Sequence, residues 1–208
     1  DLVAYLKLIR FPLVFTAIAD SVTGYALANR SLFWVKPTVM AVLAVASAGL
    51  YFFGMALNDI ADRKRDKEIA PGRPLPSGRI SLGGAYGAAL GALAVGFFAL
   101  VYASRGFDLK VFGVFGLTAA AIIAYDCMVK FPPMMGVVRY CNMMLGVVVG
   151  MNNRDYGLGV LLIPAPLFIY VTSLTYVSTL EDRPLDRKKL TLGTLGMLSG
   201  VFLSVNML

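Results

Sequence analysis

Three aspartates, Asp59, Asp62 and Asp66, follow an apolar run from Thr38 to Leu57. If that run continues as a helix, they fall at i, i+3 and i+7 and share one face. Carboxylates so close repel one another unless cations sit among them. Hard oxygen donors suit Mg²⁺, which commonly takes further oxygens from a substrate phosphate. The bland alternative is a solvated, charge-mixed helix end, but acids at the end of a membrane helix usually mark function. A second acidic group, Glu181-Asp182-Arg183-Pro184-Leu185-Asp186-Arg187, closes a later apolar stretch. Asp182 and Asp186 stand at i, i+4, with Pro184 interrupting any local helix between them. Two such groups at one depth, ringed by Arg and Lys, are most economically explained as a site for Mg²⁺ and pyrophosphate. Asp59, Asp62, Asp66, Asp182 and Asp186 are therefore the candidate metal ligands.

The elements that must position these acids are membrane helices. Of the 208 residues 58% are hydrophobic and only 15% charged, with a mean hydropathy of +0.74, against about 45–50% and 25% in soluble domains. A span needs about 20 apolar residues. Seven stretches qualify: Phe11–Ala28, Thr38–Leu57, Leu82–Ser104, Leu109–Tyr125, Val137–Met151, Leu158–Leu180 and Leu190–Leu208. The expected fold is an all-α, polytopic membrane helical bundle in one domain, residues 1–208. Fourteen of the nineteen Lys and Arg residues fall on one face if the N-terminus is inside, which makes that face cytoplasmic. Both acidic groups lie on it. The same distribution accounts for the net charge of +7 by topology, without nucleic acid. The first apolar run lacks a cleavage site and does not read as a signal peptide.

Chemistry here cannot use histidine, since the chain has none, and Cys127 and Cys141 lack ligand spacing. Asp20 interrupts the first span. A carboxylate at that position is costly in lipid and should face the bundle interior or a wet cavity. Gly83, Gly84, Gly87 and Gly91 recur at close-packing spacing and read as helix contacts.

The residues Asn58, Asp59, Asp62 and Asp66 match N-D-x-x-D-x-x-x-D, and Arg73-Pro74-Leu75-Pro76-Ser77-Gly78-Arg79-Ile80 matches the segment that follows it in the UbiA-type intramembrane prenyltransferases. Asp182 and Asp186 match that family's D-x-x-x-D. Arg10-Phe11-Pro12 with Asp20 and Gly24 resembles its first helix, and Arg139, Asn142 and Gly146 resemble its fifth. The resemblance spans essentially the whole chain. It implies a nine-helix fold, of which the last two helices would be missing here. It also implies a polyprenyl diphosphate donor, Mg²⁺, and a lipophilic, often aromatic, acceptor, all meeting within membrane lipid. On that resemblance Asn58 orients a metal or phosphate oxygen. Lys67, Arg73, Arg79, Lys130 and Arg139 are candidates to neutralise the diphosphate. Asp20, Asp126 and Asn142 are candidates to position the acceptor or its base.

Two departures from the family pattern stand out. The family's Y-x-x-x-K becomes Tyr125-Asp126-Cys127-Met128-Val129-Lys130, one residue longer. On a continuous helix Asp126, and not Tyr125, would share a face with Lys130. The count of seven spans is the other. Prenyl transfer is the leading reading. The alternatives are a catalytically silent membrane subunit of a larger assembly and a cation-coupled transporter, the latter weakened because no inverted repeat is evident.

Overall fold

The computed structural model describes residues 2–29, 35–103, 108–151, 157–180 and 186–207. Within them the chain is all helix: α1 (Leu2–Leu8), α2 (Val14–Asn29), α3 (Pro37–Ile69), α4 (Leu82–Ala103), α5 (Leu109–Cys127), α6 (Pro132–Met151), α7 (Ala165–Ser178) and α8 (Arg187–Met207). A 3-10 turn, Phe11–Leu13, leads into α2, and another, Gly157–Leu162, precedes α7. Among the described residues six spans are long and apolar enough to cross a membrane: Phe11–Asn29, Pro37–Ile69, Leu82–Tyr102, Leu109–Cys127, Pro132–Met151 and Gly157–Ser178. The seventh expected span is helical as α8 but is not among these six. The short helix α1 is too brief to register as a span.

Helix α3 carries the site. Pro37 starts it, with Lys36 extended before it, as suits a proline at the first helical position. No other proline or helix-stopping glycine follows until Pro71-Gly72. Its 33 residues make a rod about 50 Å long, against about 30 Å of hydrocarbon. Its last three turns therefore emerge from the apolar slab with the acids on them.

The inner face of α3 (Leu43, Ala46, Leu50, Phe53, Ala56) packs on Ala85, Ala89 and Leu100 of α4 and on Phe112, Phe115 and Ile122 of α5. Lipid tails are as apolar as leucine, so this packing depends on close approach rather than on expulsion of water. The α2–α6 contact shows it best: a methyl group on Gly146 would collide with the Ser21 carbonyl, and one on Gly24 with the Met143 carbonyl. In α4 the expectation from spacing holds at one position of four. A methyl group on Gly84 would meet the Tyr5 hydroxyl of α1, but Gly83, Gly87 and Gly91 have open space around them, and it is Gly96 that lies against Ala46 of α3. The spacing of small residues shows where a helix could be approached and not which side the neighbour takes. Outward-facing Phe98, Leu117, Leu195 and Phe202 form the exposed apolar belt that a bilayer covers.

Candidate active site

The acid stripe lies on one face of α3, as its spacing predicts. Asp59 and Asp66 are buried, 4% and 0% exposed, and Asp62 is half-buried. The stripe splits into two flanks with different counter-ions. On one flank Arg73 donates through Nη1 to Asp66 Oδ2 at 2.5 Å, with Asp59 Oδ1 3.9 Å away. On the other, Lys130 Nζ donates to Asp62 Oδ2 at 2.7 Å and to Asn58 Oδ1 at 2.9 Å. Arg65 also reaches Asp62, at 3.1 Å.

Arg73 is brought back to α3 by the way residues 70–81 fold. The chain turns repeatedly, with N–H groups of Ser77, Gly78 and Ile80 donating to the carbonyls of Arg73, Leu75 and Pro74. Gly78 takes the positive φ of +75° that one turn needs. Buried Leu75 and Ile80 anchor the segment in the main core. Arg79 and Lys67, ranked with Arg73 as diphosphate partners from sequence, are both solvent-exposed instead. Lys67 is one position past Asp66, about 100° around the helix, and Arg79 is on the outer side of the anchored turns.

Helix α5 ends at Cys127, so the helical-face comparison between Tyr125, Asp126 and Lys130 does not apply. Lys130 is in the connector to α6, which lets its stem reach α3. Asp126 is buried on α5, with Lys130, Asp62 and Arg10 as its charged neighbours. Tyr125 is half-buried, beside Asp126 and Asp62.

Asp20, Arg139 and Asn142 form a separate network between α2 and α6. Arg139 Nε and Nη2 lie 2.6 and 2.9 Å from the two Asp20 oxygens. Its other donors go to Thr16, one to the hydroxyl and one to the carbonyl. Asn142 donates to the Ala17 carbonyl at 2.8 Å, and the Ser47 hydroxyl, at 2.9 Å, donates to its Oδ1. Such mutual satisfaction is what makes these polar groups tolerable at membrane depth. Asp20 does face the bundle interior, and its carboxylate is engaged by Arg139.

Arg10, which belongs to the family-like Arg10-Phe11-Pro12 and counts among the topology charges but is not among the expected site residues, reaches the acid stripe. Arg10 Nη2 lies 3.5 Å from Asp59 Oδ1. Arg10 is the one non-glycine residue with positive φ among those described (φ 45°, ψ 50°). Its carbonyl accepts from the Tyr51 hydroxyl at 3.2 Å. Lys7, Arg10, Asp59, Ala70, Gly72, Arg73 and Pro74 line a cavity of about 480 Å³. The proline two residues after Arg10, forcing a break before α2, was the signal available in the sequence.

Asp182, in the second acidic group, lies outside the described residues. Asp186 lies just before α8: its Oδ1 accepts from the backbone N–H groups of Lys188 and Lys189, and its Oδ2 is 3.5 Å from Lys189 Nζ. The Lys189 N–H holds its carboxyl below the usual carboxylate range.

Among the described residues no three acidic or cysteine side chains gather closely enough to hold a metal by themselves; Asp66 and Asp62 are turned to Arg73 and Lys130 on the two flanks. The donor chemistry nonetheless fits Mg²⁺. Asp59 Oδ1 and Asp66 Oδ1 are buried without a hydrogen-bond partner, an arrangement that normally costs about 1–3 kcal/mol per group. Oxygen-only donors and too few of them suit an ion that completes its shell with substrate phosphate.

A family-wide sequence profile, described as the UbiA prenyltransferase family, matches residues 13–207. The digeranylgeranylglyceryl phosphate synthase of Metallosphaera sedula is 37% identical over 125 residues, covering 58% of this chain and 40% of that protein. The chain thus matches less than half the length of that relative. A solved structure of a digeranylgeranylglyceryl phosphate synthase superposes with a TM-score of 0.73 at 21% identity, over 99% of this chain and 75% of that one. A UbiA homologue from Archaeoglobus fulgidus, bound to DMAPP and Mg²⁺, superposes with a TM-score of 0.69 at 14% identity, over 98% and 73%. At these identities the structural likeness concerns the fold.

Proposed function

Since the chain belongs to the UbiA prenyltransferase family, we propose that it transfers a polyprenyl group from an isoprenyl diphosphate to a lipid-borne glyceryl phosphate, with Mg²⁺ and at the cytoplasmic membrane face. The observation that carries this reading is the buried stripe of Asp59, Asp62 and Asp66, flanked by Arg73 and Lys130, where a 50 Å helix leaves the apolar slab. Oxyanions for a divalent cation and cations for a phosphate are interleaved on one surface. The acceptor class follows the M. sedula relative, whose name describes a doubly prenylated glyceryl phosphate. It replaces the aromatic acceptor suggested by the broader family resemblance.

Asp59, Asp62 and Asp66, with Asp182 and Asp186 of the second acidic group, would hold Mg²⁺, which supplies Lewis-acid neutralisation of the leaving diphosphate. Lys130 places an ammonium where charge develops on the diphosphate oxygens, and Asn58 fixes that ammonium beside Asp62. Arg79 and Lys67, at the exposed rim, meet the diphosphate on entry. Carbon–oxygen cleavage leaves an allylic cation on the donor chain. The acceptor hydroxyl attacks it and loses a proton to a nearby base, for which buried Asp126 is placed. The Asp20–Arg139–Asn142 network sets the α2–α6 wall of the reaction space.

The test is transfer of a labelled geranylgeranyl group from its diphosphate to geranylgeranylglyceryl phosphate by the purified full chain, with Mg²⁺ and with EDTA. Mg²⁺-dependent product that disappears in Asp62→Ala is expected. Donor binding without product would move the reading to a silent membrane subunit, which the internally neutralised acids also accommodate.

A further inference from the structure

We propose that the cavity bounded by Lys7, Arg10 and Arg73 seats the phosphate of the acceptor lipid, a phosphomonoester carried on a prenylated glycerol. This rests on the glyceryl phosphate reading above.

The cavity wall carries three cationic side chains and one carboxylate, Asp59. Both guanidiniums stand 3.5 Å or more from Asp59, too far for hydrogen bonds. Only one of Arg73's five N–H donors is committed, to Asp66. Lys7 has no ion pair or side-chain hydrogen bond among the described residues. The small residues Ala70, Gly72 and Pro74 complete the lining, and a Cβ added at Gly72 would meet nothing within 4 Å. An arrangement of free donors and excess positive charge around open space suits a phosphate dianion.

Two features separate this anion site from the donor's diphosphate. Asn58 and Asp62, with Lys130, lie on the other flank of α3, so the donor head has its own cation. The segments that carry Lys7 and Arg10 also expose apolar side chains: Leu2, Val3 and Leu6 on α1, and Phe11 and Leu13 in the turn after it. A cationic seat beside apolar side chains fits a phosphate on a hydrocarbon tail better than a free inorganic ion. Geometry then supplies a reason for the placement. In a glyceryl phosphate the hydroxyl is only a few bonds from phosphorus, so a phosphate held here keeps that hydroxyl next to Asp59 and the donor stripe. The left-handed backbone at Arg10, secured by the Tyr51 hydroxyl, directs its guanidinium inward. Strain of this kind, about 1–3 kcal/mol, is retained at ligand clamps.

The experiment uses the full chain in neutral phosphatidylcholine vesicles, with geranylgeranylglyceryl phosphate or its dephosphorylated form as acceptor. Exposed Lys7 is the site of change, since its replacement leaves the core intact. Lys7→Gln should raise the KM for the phosphorylated acceptor about tenfold, as expected for one charge-assisted hydrogen bond. Lys7→Glu should raise it further and Lys7→Arg should restore it. The donor KM and the KM for the dephosphorylated acceptor should stay within about twofold, the scatter of neutral surface changes. An unchanged acceptor KM, or a donor KM that rises in parallel, overturns the assignment. So does a Lys7 effect that appears only after phosphatidylglycerol is added, which would make bulk anionic headgroups the ligand. Binding of geranylgeranylglyceryl phosphate without donor separates the two levels. Lys7-dependent binding with no transfer would sink the reaction and keep the site, whereas transfer indifferent to Lys7 would sink the site alone.

Discussion

Asp66 and Asp186 are the same residue type near helix ends, each in a D-x-x-x-D spacing or its extension, and the protein treats them in opposite ways. Asp66 is fully buried at the end of α3, tied to one guanidinium through Oδ2 and left without a partner at Oδ1. Asp186 has a side chain 42% exposed and caps α8 with two backbone N–H bonds. One is costly where it stands and the other is comfortable. A buried, under-satisfied carboxylate must be compensated by something that binds, whereas a capped and solvated one is already explained by the helix it starts. The contrast leaves Asp66 with an oxygen still open to a ligand and gives Asp186 a helix-capping task beside any part it takes in the proposed metal site.

The sharpest way to break that contrast is to remove a carboxylate from each group. Asp62→Ala should lower prenyl transfer by about 100-fold or more, the scale of a lost electrostatic contact in a transition state, with the helical circular dichroism unchanged. Near-normal turnover would return the stripe to the status of a charged helix end. Lys130→Ala comes next, with an expected tenfold or so weakening of diphosphate binding. Tyr125→Phe should do less, and the reverse order would assign the donor contact to the phenol. Arg73→Gln leaves Asp66 buried without its cation and should cost about 1–3 kcal/mol of stability, read as a lower midpoint on thermal denaturation in detergent. A midpoint equal to the parent's would mean that the Arg73–Asp66 contact does not stabilise the fold.

The smallest effect is expected at Asp186. Its carboxyl titrates below the usual range because the Lys189 N–H donates to it. The stabilisation is therefore present above the unfolded-state value and disappears as pH falls through the lower folded value. Asp186→Ala should lower the midpoint slightly at neutral pH, with the gap closing in strong acid. A gap that widens on acidification would reverse the assigned role.

The acid stripe was legible in the sequence because helical periodicity alone puts i, i+3 and i+7 together, and the apolar run before it guaranteed the helix. What pairs with the stripe was not legible. Arg73 and Arg79 look equivalent in a Pro/Gly-rich segment, and only the burial of Leu75 and Ile80 decides which of them returns to α3. Lys130 seemed tied to a helical face, but α5 stops at Cys127 and frees it. Arg10 read as a topology charge because a turn that bends a guanidinium toward a residue 49 positions later has no local signature. Three of the four glycines of α4 failed for a related reason: their spacing is periodic, but α1 meets only Gly84 and α3 settles against Gly96.

The length of α3 has a further consequence. Its apolar stretch ends where the carboxylates begin, so the reaction is set at a phase boundary. On the proposed reaction, a donor bound here would keep its diphosphate in the wet interface and its hydrocarbon in oil, and neither part would need to cross into the other's solvent. The same boundary would sort what is released. The diphosphate would depart into water, the joined chains would stay dissolved in lipid, and the two products would separate by partition.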